Sequence, residues 1–125
     1  MPERVLIVDD YPKAAEAVGW LLKQTGSEVR RASDGLEALE IAEQFIPDVM
    51  LVDINLPKLN GYEVAERIRQ RAWGKRTIMI AFTGWIAQEE RARAREAGFD
   101  AVLLKPFSRA ELSAVIAECF RARTS

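Results

Sequence analysis

Residues 48–61 have the sequence DVMLVDINLPKLNG, in which an apolar run ends at Asp53 and is followed by a loop that contains Pro57 and Gly61. An uninterrupted apolar strand is typical of a parallel sheet that is covered on both faces. Since this strand ends in an acid, the Asp53 carboxylate is expected at the rim of the sheet, partly in contact with water. Such a position suits a reacting group.

Apolar strands and amphipathic helices alternate along the rest of the chain. Apolar runs predict further strands at 5–8, 77–82 and 101–104, and the more polar run 28–32 predicts an edge strand. Five helices are predicted from helical spacing, from Pro12 and from three capping pairs: Asp34 with Glu37, Asn60 with Glu63, and Ser108 with Glu111. Strands that alternate with helices require a parallel sheet with helices on both faces. We therefore predict an α/β protein with a doubly wound five-stranded parallel sheet of the (βα)5 type.

The composition narrows the class of protein. At 125 residues and 49% hydrophobic content, we expect a single domain over residues 1–125 with no output domain. A net charge of -1 gives no reason to expect direct nucleic-acid binding. The chain has no histidine, which excludes Ser-His and Cys-His catalytic pairs within it. A short N-terminal apolar run and the lone Cys119 predict a cytoplasmic protein without membrane insertion.

Polar residues follow four of the predicted strands. Asp9 and Asp10 come after the first, Asp53 after the third, Thr83 after the fourth and Lys105 after the fifth. In a doubly wound sheet, ligands bind outside the carboxyl ends of the strands. Carboxylates suit Mg²⁺, an aspartate can be the nucleophile that forms an aspartyl phosphate, and a lysine with a hydroxyl can stabilise a moving phosphoryl group. The sequence therefore predicts phosphoryl transfer at this rim.

Each of these residues also has a purely structural interpretation. An aspartate at a strand end is often a helix cap or a turn former, and Asp10 lies directly before the helix that begins near Pro12. Thr83 is a candidate N-cap for the following segment. Lys105 is a candidate structural ion pair that only neutralises the acids.

Taken together and in this order, these motifs resemble the receiver domain of two-component response regulators, the CheY-like superfamily. The resemblance covers roughly residues 3–120. Its motifs are Asp9-Asp10, Asp53 with Leu56-Pro57 and Asn60-Gly61, Thr83-Gly84, and Lys105-Pro106-Phe107. It implies a flavodoxin-like strand order of 2-1-3-4-5 and a cis peptide bond between Lys105 and Pro106.

The resemblance also assigns roles within the site. Asp53 is the implied phospho-acceptor, and Thr83 and Lys105 assist it. Mg²⁺ is implied to bind Asp9, Asp10, Asp53 and the backbone carbonyl of Asn55. The implied phosphoryl donor is a histidine kinase or a histidine phosphotransfer protein. Output would reach an unknown downstream protein by direct contact, or the phosphoryl group would pass on in a phosphorelay.

We therefore predict a signalling module and not an enzyme that acts on separate substrates. Two other functions are the alternatives to this prediction. A phosphatase of the haloacid dehalogenase type expects a second acid two residues after the nucleophile, where this chain has Asn55, and the cap-forming insertions are missing. A degenerate receiver that binds partners without phosphorylation is disfavoured, because the acids and the lysine are all present.

One departure from the family pattern concerns output. Many receivers carry an aromatic residue three positions before the lysine, where this chain has Val102. We therefore expect output to rely less on the strand-five face, or to use Trp85 or Phe107. Trp85 is further expected to alter the lifetime of the phosphoryl group. The other predictions for aromatic residues are that Trp73 lies in a surface loop and that four side chains pack in the core: Trp20, Phe45, Phe82 and Phe99.

Overall fold

Five parallel strands form one sheet in the order β2-β1-β3-β4-β5, as predicted. The computed structural model describes residues 4–84 and 86–124. The strands are β1 (Arg4–Val8), β2 (Glu28–Ala32), β3 (Val49–Asp53), β4 (Ile78–Thr83) and β5 (Ala101–Leu104). The helices are α1 (Pro12–Lys23), α2 (Gly35–Phe45), α3 (Gly61–Arg69), α4 (Gln88–Ala97) and α5 (Arg109–Thr124), with a 3-10 turn at Trp73–Lys75. Trp85 lies outside the described residues, so its predicted role stays a prediction.

Side chains that alternate along the strands form two core clusters, one on each face of the sheet. Leu6 and Met50 belong to the cluster under α2, α3 and α4. Ile7 and Leu51 belong to the other, under α1 and α5, which also contains Cys119. Helices on both faces make the sheet doubly wound and leave its carboxyl edge open to ligands. Within the described ranges, no helix is both long and apolar enough to cross a bilayer.

Helix caps follow the predicted pairs with one difference. Asn60 and Glu63 form a reciprocal capping box, in which each side chain accepts the other's backbone N–H. Ser108 and Glu111 do the same at the start of α5. At α2 the Asp34 carboxylate accepts the Glu37 N–H, but the Glu37 side chain accepts from Ser33, so the box is displaced by one residue. A reciprocal box satisfies two N–H groups that have no intrahelical partner.

The prediction for Trp20 is wrong, because its side chain is 61% exposed. The buried stripe of α1 passes through Ala15, Gly19 and Leu22. One residue of α-helix turns the side chain by about 100°, which carries Trp20 away from the sheet. Trp73 lies in the 3-10 turn and is half-buried against the α2–α3–α4 core cluster, which agrees with packing at the surface. The other three aromatic residues predicted for the core are buried: Phe45, Phe82 and Phe99.

Gly19 offers a stabilising substitution. A Cβ atom there would lie 3.7 Å from Ile7 Cδ1 and 3.7 Å from Val29 Cγ1, which is ordinary van der Waals contact. Because glycine inside a helix is less stable than alanine, Gly19→Ala is expected to raise the free energy of unfolding by about 0.5–1 kcal/mol in urea denaturation. Gly61→Ala is the contrasting variant, since its Cβ would lie 2.7 Å from Ile54 Cα, and it is expected to lower that free energy. A lower value for Gly19→Ala would contradict the prediction.

Candidate functional site

The sheet brings the predicted site residues to one edge. Asp9 directly follows β1, Asp53 ends β3, Thr83 ends β4 and Lys105 directly follows β5. Because β1, β3, β4 and β5 are consecutive neighbours and parallel, their carboxyl ends meet at the same rim. The predicted convergence of these residues is therefore confirmed by the topology of the sheet.

Three carboxylates form a cluster at this rim. One oxygen from each of Asp9, Asp10 and Asp53 lies within 4.8 Å of the others. The side chains of Asp9 and Asp53 are buried and that of Asp10 is exposed. Carboxylates this close repel one another, so a cation beside them stabilises the cluster.

Lys105 supplies one such cation. Its Nζ lies 3.4 Å from Asp53 Oδ2 and 3.6 Å from Asp9 Oδ2, so it bridges the two buried acids. The ammonium also lies 4.5 Å from the centre of the Phe82 ring, a cation–π contact. The Lys105–Pro106 peptide bond is cis, as the resemblance implied. Lys105 forms the structural ion pair considered above, and it does so within the acidic cluster.

The Asp53 carboxyl is held between opposing effects. Burial raises its pKa above the ordinary value, and the neighbouring Asp9 carboxylate raises it further. The Asn55 N–H, which donates to Asp53 Oδ1 at 2.9 Å, and the Lys105 ammonium lower that pKa. The raised pKa means that the protein alone compensates this charge incompletely, and a bound cation would favour the ionised carboxylate.

The loop after Asp53 folds back onto the end of its strand. The Gly61 N–H donates to the Ile54 carbonyl at 2.9 Å. A Cβ atom at Gly61 would lie 2.8 Å from the Asp53 carbonyl oxygen, closer than side chains approach backbone, so only glycine fits here without a shift. The Asn60-Gly61 motif therefore has a direct physical role, since the capping box and the missing Cβ together fix the loop beside the acid.

Two structural alternatives can be decided from the helix caps. The N-cap of α4 is Ala87, so the interpretation of Thr83 as the N-cap of that helix is wrong. Thr83 is buried, and its carbonyl accepts the Lys105 N–H at 2.8 Å, which joins the ends of β4 and β5. At the start of α1 it is Asp9 whose Oδ1 accepts the Tyr11 N–H at 2.9 Å, so the turn-forming role expected of Asp10 belongs in part to Asp9.

The acidic cluster fits a divalent cation. Asp9 Oδ2 is buried and accepts no hydrogen bond from the described residues, and the Lys105 ammonium lies beside it only at ion-pair distance, 3.6 Å. A directly bound cation would compensate this oxygen more fully. Oxygen ligands of this kind are those that Mg²⁺ prefers. The three carboxylates supply them from two neighbouring strand ends. The part of the Asn55 carbonyl in this site stays a prediction.

The sequence analysis missed one residue at the site. Arg31, in β2, donates from its Nη2 to the carbonyl oxygen of Asp9 at 3.0 Å. The sequence shows that β2 is polar, but its pattern does not indicate which of its side chains reaches the end of β1.

Val102, where many receivers have an aromatic residue, is half-buried against the α2–α3–α4 core cluster. Phe107 packs edge-on against Phe82, with 6.2 Å between the ring centres.

Fold and site together define a class: a doubly wound α/β protein with a carboxylate cluster and a lysine at the rim of a 2-1-3-4-5 sheet. The chain belongs to the response regulator receiver domain family, whose profile matches residues 5–117. It is thus a phosphorylation-switched signalling module. Receiver domains bind Mg²⁺ at an acidic site and interact with histidine kinases or phosphotransfer proteins.

Two relatives with known names illustrate the similarity to response regulators. The polar-differentiation response regulator DivK of Brucella anthropi is 33% identical over 108 residues, which cover 86% of this chain and 88% of DivK. The ycf27 protein of Guillardia theta is 40% identical over 119 residues, 95% of this chain but 46% of ycf27. The chain therefore spans about half the length of that relative.

A solved structure with a similar fold contains a metal ion. The receiver domain of the histidine kinase PA1611 from Pseudomonas aeruginosa, with magnesium coordinated in its active-site cleft, has a TM-score of 0.85 and 33% sequence identity. The match covers 94% of this chain and 97% of that one.

Proposed function

We propose that Asp53 is the phosphoryl acceptor of this receiver domain and that Lys105 and Thr83 assist the transfer. The observation that carries the proposal is the Lys105 ammonium, which lies 3.4 Å from Asp53 Oδ2 and 3.6 Å from Asp9 Oδ2. A phosphoryl group on Asp53 would bring negative oxygens to this place, where an ammonium and a buried hydroxyl stabilise them.

The remaining acids are proposed to hold the metal. Asp9, Asp10 and Asp53, with the Asn55 carbonyl, would bind Mg²⁺, which neutralises phosphoryl oxygens when it is present. Asp53 attacks the phosphorus, so that a carboxylate O–P bond forms while the P–N bond of the donor histidine breaks. The Asn55 N–H fixes Oδ1 and thereby orients the carboxylate for this attack.

A histidine kinase or a histidine phosphotransfer protein is the proposed donor, and the phosphorylated domain would act on a downstream protein or pass the group on in a phosphorelay. We place this signalling in the cytoplasm, without direct nucleic-acid contact. A single-domain organisation over residues 1–125 belongs to the proposal. A phosphatase acting on separate substrates is disfavoured, because the residue two positions after Asp53 is Asn55, whose amide cannot serve as the second acid.

The test is incubation with acetyl phosphate and Mg²⁺, followed by intact mass measurement. The wild type is expected to gain the mass of one phosphoryl group with Mg²⁺ and to gain none with a chelator. Lys105→Met, which removes the ammonium but keeps an unbranched side chain one atom shorter, is expected to be labelled about 100-fold more slowly, as is typical when one stabilising donor is lost. An unlabelled wild type, under conditions that label another receiver domain, would overturn the proposal.

A further inference from the structure

We propose that Arg31 is a positioning residue for the acidic cluster, and that its guanidinium holds the backbone turn that presents Asp9 and Asp10 to a divalent cation. The inference rests on the proposed function of that cluster and extends it to β2, a strand from which no site residue was predicted.

The end of β2 binds both polar backbone groups of Asp9, its N–H and its carbonyl oxygen. Arg31 pairs in register with Ile7, one strand over, and Ala32 pairs with Val8. The Asp9 N–H donates to the Ala32 carbonyl at 3.1 Å. The Asp9 carbonyl accepts from Arg31 Nη2 at 3.0 Å. The strand end therefore holds Asp9 through one backbone bond and one charged side-chain bond.

The second of these bonds acts on the link between the two acids. The Asp9 carbonyl belongs to the planar peptide unit that joins Asp9 to Asp10. A hydrogen bond to this oxygen therefore fixes the orientation of the peptide plane that leads into Asp10. The Asp9 side chain is fixed independently, since its Oδ1 accepts the Tyr11 N–H at 2.9 Å. This leaves Asp9 Oδ2, buried and without a hydrogen bond in the described ranges, facing a site whose geometry Arg31 helps to set.

Arg31 differs from the arginines that serve the fold. Arg69 donates to the carbonyls of Gly74, Thr77 and Gly98 and to the Asp100 carboxylate, and so satisfies most of its donors. The bond to Asp9 is the single hydrogen bond that the Arg31 side chain donates within the described residues, and its Nε is buried without a partner there. The hydrogen bonding of Arg31 is therefore directed at the site.

Charge and geometry predict opposite effects when Arg31 is lost. A guanidinium beside the site repels an incoming divalent cation, so removing its charge alone would tighten Mg²⁺ binding. Removing its hydrogen bond frees the peptide between the two acids, and loss of a group that orients metal ligands weakens binding. The direction of the measured change therefore tells a positioning role from a purely electrostatic one.

The experiment is calorimetric titration of the metal-free protein with Mg²⁺. Arg31→Met, which has no donor and no charge, is expected to bind Mg²⁺ about tenfold more weakly than the wild type. Arg31→Lys retains the charge and one donor and is expected to recover part of the affinity. Arg30→Met is the matched control with wild-type affinity, because the Arg30 guanidinium lies on the Phe45 ring at 4.6 Å, away from the acids.

Thermal unfolding in a chelator shows whether each variant is folded. If Arg31→Met is unfolded, Arg31→Lys takes its place in the comparison with the wild type and Arg30→Met. Unchanged or tighter Mg²⁺ binding by folded Arg31→Met would overturn the inference, and so would equal losses in Arg31→Met and Arg30→Met. These results leave the proposed function intact if the wild type binds Mg²⁺ and is labelled by acetyl phosphate. A wild type that does neither overturns both.

Discussion

Asp53→Asn is expected to gain no phosphoryl group from acetyl phosphate and Mg²⁺, as measured by intact mass. The amide has nearly the shape of the carboxylate, but it is neutral and is not a nucleophile for phosphorus under these conditions. Asp53 Oδ1 accepts the Asn55 N–H, a bond that the amide oxygen of asparagine can replace. The variant should therefore fold like the wild type, and the loss of labelling would report on chemistry rather than on structure.

The same variant has a predicted effect on stability in metal-free buffer. Burial raises the pKa of Asp53 above 3.8, its ordinary value, so the folded state binds this proton more tightly than the unfolded state does. The resulting stability is fully present below the unfolded pKa and is lost as the pH rises through the folded one. Asp53→Asn does not titrate, so its free energy of unfolding should rise relative to that of the wild type over this pH range, in urea denaturation with a chelator.

Asp48→Asn is the matched control, because Asp48 is an exposed acid just before the other end of the same strand. It is expected to be labelled like the wild type. If Asp53→Asn were labelled as fully as Asp48→Asn, the acceptor would lie elsewhere in the chain. If Asp53→Asn lost stability relative to the wild type as the pH rose, the explanation of the raised pKa by burial would be wrong.

Much of the site follows from the sequence because it depends on topology alone. Apolar runs located the ends of β1, β3, β4 and β5, and in a parallel sheet these ends must share one edge. That reasoning brings Asp9, Asp53, Thr83 and Lys105 together without any knowledge of their side-chain conformations. The caps at Asn60 and Ser108 were predictable for a similar reason, since a capping box is a contact between residues three apart.

Contacts that depend on the direction of a side chain were not predictable in this way. Trp20 has helical spacing from other apolar residues, but the stripe of α1 that meets the sheet excludes it. Arg31 reaches Asp9 only because β2 lies next to β1, and 22 positions separate the two residues in sequence. A group of charges at the opposite end of the molecule was not predictable for the same reason, since Arg69, Asp100 and Arg123 are far apart in sequence and meet only in the fold.

Asp100 is the centre of that group. Its Oδ2 accepts hydrogen bonds from Arg69 Nη2 at 2.9 Å, from Arg123 Nη2 at 3.0 Å and from the Met79 N–H at 2.9 Å. The two guanidinium groups also donate to the Thr77 carbonyl, so this one carboxylate connects the ends of α3 and α5 to the start of β4. The side chains of Arg69 and Arg123 are 20% and 28% exposed, so water screens the group only in part.

Asp100→Ala is expected to lower the free energy of unfolding by about 2–3 kcal/mol, measured by urea denaturation at neutral pH. The substitution removes the common acceptor and leaves two guanidinium groups side by side without their counter-ion. Burial already lowers the pKa of the Arg69 guanidinium, and the Asp100 carboxylate is the main influence that raises it again. Loss of the carboxylate therefore leaves a partly dehydrated positive charge without its counter-ion, which is costlier than the loss of an exposed ion pair.

Glu43→Ala provides the comparison. Glu43 pairs with Arg71 at 3.4 Å, but their side chains are 53% and 43% exposed, and the loss of such a pair changes stability by less than about 1 kcal/mol. Asp100→Asn, which keeps an acceptor for the Met79 N–H and removes only the charge, is expected to fall between the two alanine variants. Equal effects of Asp100→Ala and Glu43→Ala would mean that the guanidinium groups find water or other acceptors, and that the carboxylate does not hold the ends of α3 and α5 to the sheet.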